Sequence, residues 1–215
     1  MDIVQLIMLV TAGAVIFMIY KQVDSGSFQQ IHKDKNNATE QPQTASANDS
    51  IASDDAHKQH RINDLLEKTD SFVNEGNFSE AKKSIEAALI LQENGDNFMR
   101  QGFILKNLEE FDAAIESFQK SLEFEPNNDM AYIFIGEIYA RKNEHENAKE
   151  AFEKALSIDD SYDKTHLEYA KILIALNDEA SALTHLQKAV ALDAQNEEAS
   201  ALLATLSKGS DDEKN

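Results

Sequence analysis

The sequence predicts an all-α solenoid of stacked helix pairs, preceded by one transmembrane helix and a disordered linker. Three observations carry this. A four-residue motif recurs at Phe78-Ser79-Glu80-Ala81, Phe111-Asp112-Ala113-Ala114, His145-Glu146-Asn147-Ala148 and Glu179-Ala180-Ser181-Ala182, at spacings of 33, 34 and 34 residues. A fixed period of this length belongs to supersecondary units that stack on one another, not to a single globular core. Only seven Gly and two Pro occur in 215 residues, so the breaks between elements are short. The third observation is an apolar run at the N-terminus, set well apart from the repeats.

That run, Ile3 to Tyr20, is 18 residues long and is interrupted only by Gln5 and Thr11. As a helix it spans about 27 Å, close to the roughly 30 Å hydrocarbon core of a bilayer. A cleaved secretory signal would need a basic start and a small-residue cleavage site. Here Met1 and Asp2 precede the run and Tyr20-Lys21-Gln22-Val23 closes it, so residues 1–20 are read as an uncleaved single-pass anchor. Lys21, Lys33 and Lys35 follow the helix and no basic residue precedes it, which predicts that the repeats face the cytoplasm. The reverse topology, with the repeats in a periplasm, is the alternative.

Residues 21–60 are rich in Gln, Asn, Ser, Asp and Lys. A stretch such as Asn36-Asn37-Ala38-Thr39-Glu40-Gln41-Pro42 buries too little surface to offset its ordering entropy, so a disordered tether is expected. His57 and His60 fall within it and read as solvated side chains, not metal ligands.

From residue 61 each unit reads as two antiparallel helices. The first presents residues at i, i+4 and i+7: Leu65, Thr69, Phe72; Phe98, Gly102, Leu105; Tyr132, Gly136, Tyr139; His166, Ala170, Leu173. This spacing gathers them on one face, and the small middle residue lets a second helix approach. Turns follow at Glu75-Gly76-Asn77, Leu108-Glu109-Glu110, Lys142-Asn143-Glu144 and Leu176-Asn177-Asp178. Gly76, Asn143 and Asn177 suit a left-handed helix terminator, and Glu109 suits it poorly. The second helices present the complementary small–large–small pattern: Ala81-Ile85-Ala88, Ala114-Phe118-Ser121, Ala148-Phe152-Ala155 and Ala182-Leu186-Ala189.

These positions resemble the tetratricopeptide repeat family, over about residues 62–196. The proline that usually closes a unit is present only as Pro126, and Leu65 and His166 replace the usual aromatic in the outer units. The resemblance implies repeats at about 62–94, 95–128, 129–162 and 163–196 within a solenoid over 61–208. A capping helix at 197–208, built on Ala199, Leu202, Leu203 and Leu206, and a flexible acidic tail at 209–215 complete the chain.

The resemblance further implies a peptide-binding groove lined by the first helices. The residues one place on from the core stripe would line it: Leu66, Asp70, Val73; Met99, Phe103, Lys106; Ile133, Glu137, Ala140; Leu167, Lys171, Ile174. Eight of the twelve are apolar, which predicts capture of a helical or extended apolar segment. The competing use of the same stripe is packing between adjacent repeats. Chaperone-binding members carry a Lys/Asn clamp for a terminal carboxylate, and Leu66, Asp70, Met99 and Phe103 stand where it would fall, so that mode is not expected.

The net charge of −19 falls mostly on residues 61–215, which repels phosphate backbones and argues against nucleic-acid binding. The absence of cysteine excludes disulfides and thiolate chemistry. Carboxylate pairs such as Glu109-Glu110, Asp159-Asp160 and Glu197-Glu198 sit at expected helix ends or turns, where they act as end charges. No phosphate loop or nucleophile elbow occurs, and no catalytic, cofactor or metal residues are assigned. The reading is a membrane-tethered, protein-binding scaffold and not an enzyme. The alternatives are a periplasmic assembly factor of cytochrome-maturation or pilus-biogenesis type, self-assembly through Leu202 to Leu206, and an enzyme using His166 or His185.

Overall fold

The structure, a computed structural model, describes residues 48–212, with side chains over 54–208. The chain divides into two units, Met1–His57 and Lys58–Asn215. The apolar run at 3–20 lies outside the described residues. Among the described residues no helix is long and apolar enough to cross a membrane.

Nine helices and no strand occur among the described residues: α1 Asn48–Asn74, α2 Phe78–Leu91, α3 Gly95–Asn107, α4 Phe111–Phe124, α5 Asp129–Arg141, α6 His145–Ile158, α7 Asp163–Ala175, α8 Glu179–Leu192 and α9 Glu197–Asp212. From α3 onward they alternate between 13-residue first helices and 14-residue second helices, until the longer α9. The result is a tetratricopeptide-like solenoid.

One turn design closes every first helix. Gly76, Glu109, Asn143 and Asn177 all adopt left-handed backbone, with φ of 73°, 62°, 59° and 61°. The amide after each donates back five residues, Asn77 to Phe72, Glu110 to Leu105, Glu144 to Tyr139 and Asp178 to Leu173, at 2.8–3.0 Å. The left-handed residue itself donates three back, as Gly76 does to Val73 at 3.0 Å. This paired pattern satisfies carbonyls that the helix end would otherwise leave open. The residue that completes the turn is also the N-cap of the next helix, so reversal takes very few residues. Asn77 and Asp178 cap with their side chains; Glu110 and Glu144 do not.

Packing follows the small–large–small logic. All twelve stripe residues of the second helices, from Ala81 to Ala189, have zero exposure, including Phe118 and Phe152. Partner sizes compensate across each pair. Gly102 and Gly136 face the rings of Phe118 and Phe152, whereas Thr69 and Ala170 occupy the same stripe position in repeats that carry Ile85 and Leu186. Ser121 donates its hydroxyl to the carbonyl of Gly95 at 2.9 Å, which satisfies the buried polar atom that replaces alanine there. The core is three clusters that cross repeat boundaries, for example Ile85 and Leu89 with Phe98 and Ile104. Ala199 is buried in the last cluster, and Leu202, Leu203 and Leu206 pack against it, so α9 covers its own chain's final repeat.

Two boundaries differ from the sequence reading. Residues 48–60, assigned to the tether, are helical as the start of α1. Their polar composition rules out burial, and residues 54–60 are indeed all exposed, but it does not rule out helix. Ile62, 2% exposed, anchors the docked part of α1, and each residue added upstream of an existing helix costs no new nucleation. Residues 209–212, assigned to a flexible tail, continue α9 to Asp212 for the same reason.

Candidate functional site

The twelve residues proposed for the groove lie on α1, α3, α5 and α7. Ten are half-buried; Ile133 and Leu167 are buried. Most of the apolar ones share in the core: Leu66 and Val73 pack against the first cluster, Met99 against the second, and Ala140 and Ile174 against the third, which contains Ile133 and Leu167. The stripe therefore serves inter-repeat packing along most of its length. Phe103 stands apart, with its ring 6.4 Å from Phe78 and 6.0 Å from Phe134 between centroids.

The four charged members are all engaged in ion pairs, three of which join consecutive first helices. Asp70 of α1 pairs with Arg100 of α3, and Glu137 of α5 pairs with Lys106 of α3. Lys171 of α7 meets Glu198 of α9 at 2.8 Å and Glu168 of its own helix at 2.8 Å. Lys106 also lies 4.2 Å above the ring of Phe134. Arg100 and Phe134, absent from the sequence-based set, thus belong to this face. Each sits one place beyond a predicted residue, Met99 or Ile133, so the relevant face is wider than a single stripe. What it offers a partner is a half-buried apolar floor with Phe103 and Phe134 at its centre and paired charges on either side.

A second polar constellation lies where the last two repeats meet. The Nδ1 atoms of His166 and His185 are 2.9 Å apart, and His166 Nε2 lies 3.0 Å from the carbonyl of Asp160. A carbonyl only accepts, so His166 Nε2 carries a proton and, in the neutral ring, Nδ1 accepts from His185 Nδ1–H. Tyr169 packs edge-on against His185 at 4.6 Å and donates its hydroxyl to Glu153 at 2.8 Å. Burial, then the neighbouring His166, hold His185 below the ordinary histidine range. Burial and the Glu153 carboxylate raise the Tyr169 phenol. His166 is 4% exposed, so this arrangement is a satisfied core network joining α6, α7 and α8. His60, exposed on α1, lies 3.7 Å from Asp64.

Stacked helix pairs with a face built from first helices define a protein-interaction solenoid. The chain is a tetratricopeptide-repeat protein. Residues 109–215 match the family described as the cytochrome c-type biogenesis protein H TPR domain. Several solved structures share the fold. MamA (residues 41 to the end) from Desulfovibrio magneticus RS-1 is 18% identical with a TM-score of 0.66, over 72% of this chain and 88% of that one. YrrB, described as a TPR protein with an unusual peptide-binding site, is 20% identical with a TM-score of 0.60, over 72% of this chain and 85% of that one. The first TPR of Spaghetti, solved with an HSP90 peptide, is 20% identical with a TM-score of 0.52, over 54% of this chain and 92% of that one. No curated protein matches the chain by sequence.

Proposed function

We propose that the protein is a membrane-tethered assembly factor of the cytochrome c biogenesis class, which captures a helical or extended apolar segment of its client on the face of its first helices. The observation that carries this reading is the match of residues 109–215 to a cytochrome c biogenesis TPR domain. The half-buried floor around Phe103 and Phe134 supports an apolar client segment, and the paired charges at its sides suit a binding role better than a catalytic one. Residues 3–20 act as the anchor and raise the local concentration of the repeats at the membrane. Lys21, Lys33 and Lys35 suggest repeats that face the cytoplasm, and the reverse topology, with the repeats in a periplasm, is the alternative.

Deletion of the chain from its host, followed by measurement of c-type cytochrome levels, tests the reading. A specific loss of c-type cytochromes, restored by the wild type but not by Phe103→Glu, is expected. Normal levels in the deletion strain overturn it. Protease shaving of spheroplasts settles the compartment: degradation of the repeats from outside puts them in the periplasm, and protection puts them in the cytoplasm.

A further inference from the structure

A second surface lies outside that face, along the edge where each second helix ends and the next first helix begins. The last residues of α2, α4, α6 and α8 are Leu91, Phe124, Ile158 and Leu192. They recur at the repeat period, so stacking sets them in a row. Three stay uncovered: Phe124 is 52% exposed, Ile158 38% and Leu192 40%. Tyr162, 44% exposed, joins them for a separate reason. It is the N-cap of α7, a position where α3 and α5 have Asn94 and Asn128 and the residue before α9 is Asn196. Each asparagine accepts a backbone amide with its side chain, and Tyr162 makes no such bond. The chain forgoes a cap and gains an exposed ring, and a local rule broken without structural return is the mark of a functional position.

The charge along this edge is mostly negative, with Lys164 and Lys188 as the nearby basic side chains. Glu125 follows α4, Asp129 and Asp163 open α5 and α7, Asp159 follows α6 and Asp193 follows α8. Among the described residues no ion pair reaches these five, although neighbouring Asp160 meets Lys188 at 3.1 Å. Their hydrogen-bond donors are neutral, as in Asn128 to Glu125, Ser161 to Asp159 and Asn196 to Asp163. Asp129 Oδ2 is buried with no hydrogen-bond partner. Burial and the nearby Asp159 raise the Asp129 carboxyl above its ordinary range, and burial with both carboxylates raises the Tyr162 phenol. Uncompensated like charges between exposed apolar side chains favour an incoming cation that brings apolar surface with it.

We propose that this edge docks a basic amphipathic segment of another protein, its apolar side chains seated on Phe124, Ile158, Tyr162 and Leu192 and its Lys or Arg side chains against the carboxylates between them. The surface is separate from the face of the first helices, so the two readings stand or fall independently.

The test is fluorescence anisotropy on the full chain in non-ionic detergent, with a protein-free blank. Three labelled probes are used: an amphipathic Lys/Leu peptide, a Lys/Ser peptide of equal charge and a Glu/Leu peptide. The Lys/Leu peptide binds, the Lys/Ser peptide binds at least about tenfold more weakly, and the Glu/Leu peptide does not bind. The double variant Phe124→Ser/Ile158→Ser weakens Lys/Leu binding by about tenfold. Asp129→Asn/Asp159→Asn weakens it and flattens its salt dependence, while Phe103→Glu leaves it unchanged. Melting curves accompany each variant. Four results overturn the proposal: no Lys/Leu binding, equal binding of Lys/Ser, indifference to both double variants in folded protein, or loss of binding in folded Phe103→Glu.

Discussion

At the scale of single residues, space and backbone conformation decide which substitutions the repeats tolerate. A Cβ on Gly102 would come within 2.6 Å of the Phe118 ring, whereas one on Gly136 would lie 3.0 Å from the Phe152 ring. Both rings are fully buried and have little room to yield. Gly102→Ala incurs an overpacking cost of about 1–3 kcal/mol, offset by about 1 kcal/mol of helix propensity. A net loss of about 0–2 kcal/mol in denaturant melts is expected, with Gly136→Ala closer to neutral. Glu109 presents the opposite case, a non-glycine residue held at φ 62°. Its carboxylate accepts from Arg141 at 2.6 Å, but both side chains are exposed and such a pair contributes little. Glu109→Gly should therefore stabilise by about 0.5 kcal/mol. His185 supplies the pH-dependent term. The unfolded chain takes up its proton near 6.5, and the folded chain only at lower pH, because burial and His166 disfavour the charge while Glu153 opposes them in part. Between those two values unfolding binds a proton, so stability falls as pH drops from about 6.5 and the loss ends below the folded value. His185→Gln, which keeps a neutral donor toward His166, should flatten the melting temperature across this window. An unchanged slope would assign the effect to another group.

At the scale of helices, the pattern legible in the sequence was the one that local chemistry writes. The stripes at i, i+4 and i+7 marked the buried faces, and Gly76, Asn143 and Asn177 marked the turns because left-handed backbone restricts residue choice. Residues 48–60 read as tether from sequence because composition reports on burial, while the helix there extends from the docked segment beginning near Ile62. The ion pairs of Asp70 with Arg100 and Lys106 with Glu137 were not legible, because they depend on the spacing between consecutive first helices. The same logic isolates Tyr162 as the one first-helix cap, among α3, α5, α7 and α9, that lacks asparagine. Tyr162→Asn should restore a cap and stabilise the protein by about 1 kcal/mol in melts. If the edge binds basic segments as proposed, the same substitution weakens Lys/Leu peptide binding, so stability and affinity move in opposite directions. A variant that loses both would mean that the ring serves packing alone.

At the scale of the whole molecule, charge and cohesion oppose one another. The sequence carries −19, and the Lys and Arg of the repeats are largely committed to surface ion pairs such as Lys82 with Glu110 at 2.6 Å and Lys142 with Asp112 at 2.7 Å. Pairs of this kind contribute about 0–1 kcal/mol each and are screened by salt. The excess carboxylates repel one another in the folded chain and less so once it expands, so the long-range term destabilises the native state at low ionic strength. Two salt effects therefore compete: screening weakens the pairs that join repeats, and it also weakens the self-repulsion. The acidic edge, where Asp129 and Asp159 have no cation among the described residues, adds to the second effect without sharing in the first. Self-repulsion should dominate, because the pairs are mostly exposed and the unpaired carboxylates are numerous. The melting temperature should then rise as NaCl increases from about 10 mM to about 150 mM, where the Debye length shrinks from roughly 30 Å to roughly 8 Å. The rise should be smaller in Asp129→Asn/Asp159→Asn, which removes part of the repulsion and leaves every ion pair between repeats in place. A melting temperature that falls with salt would make the ion pairs between repeats the dominant electrostatic term.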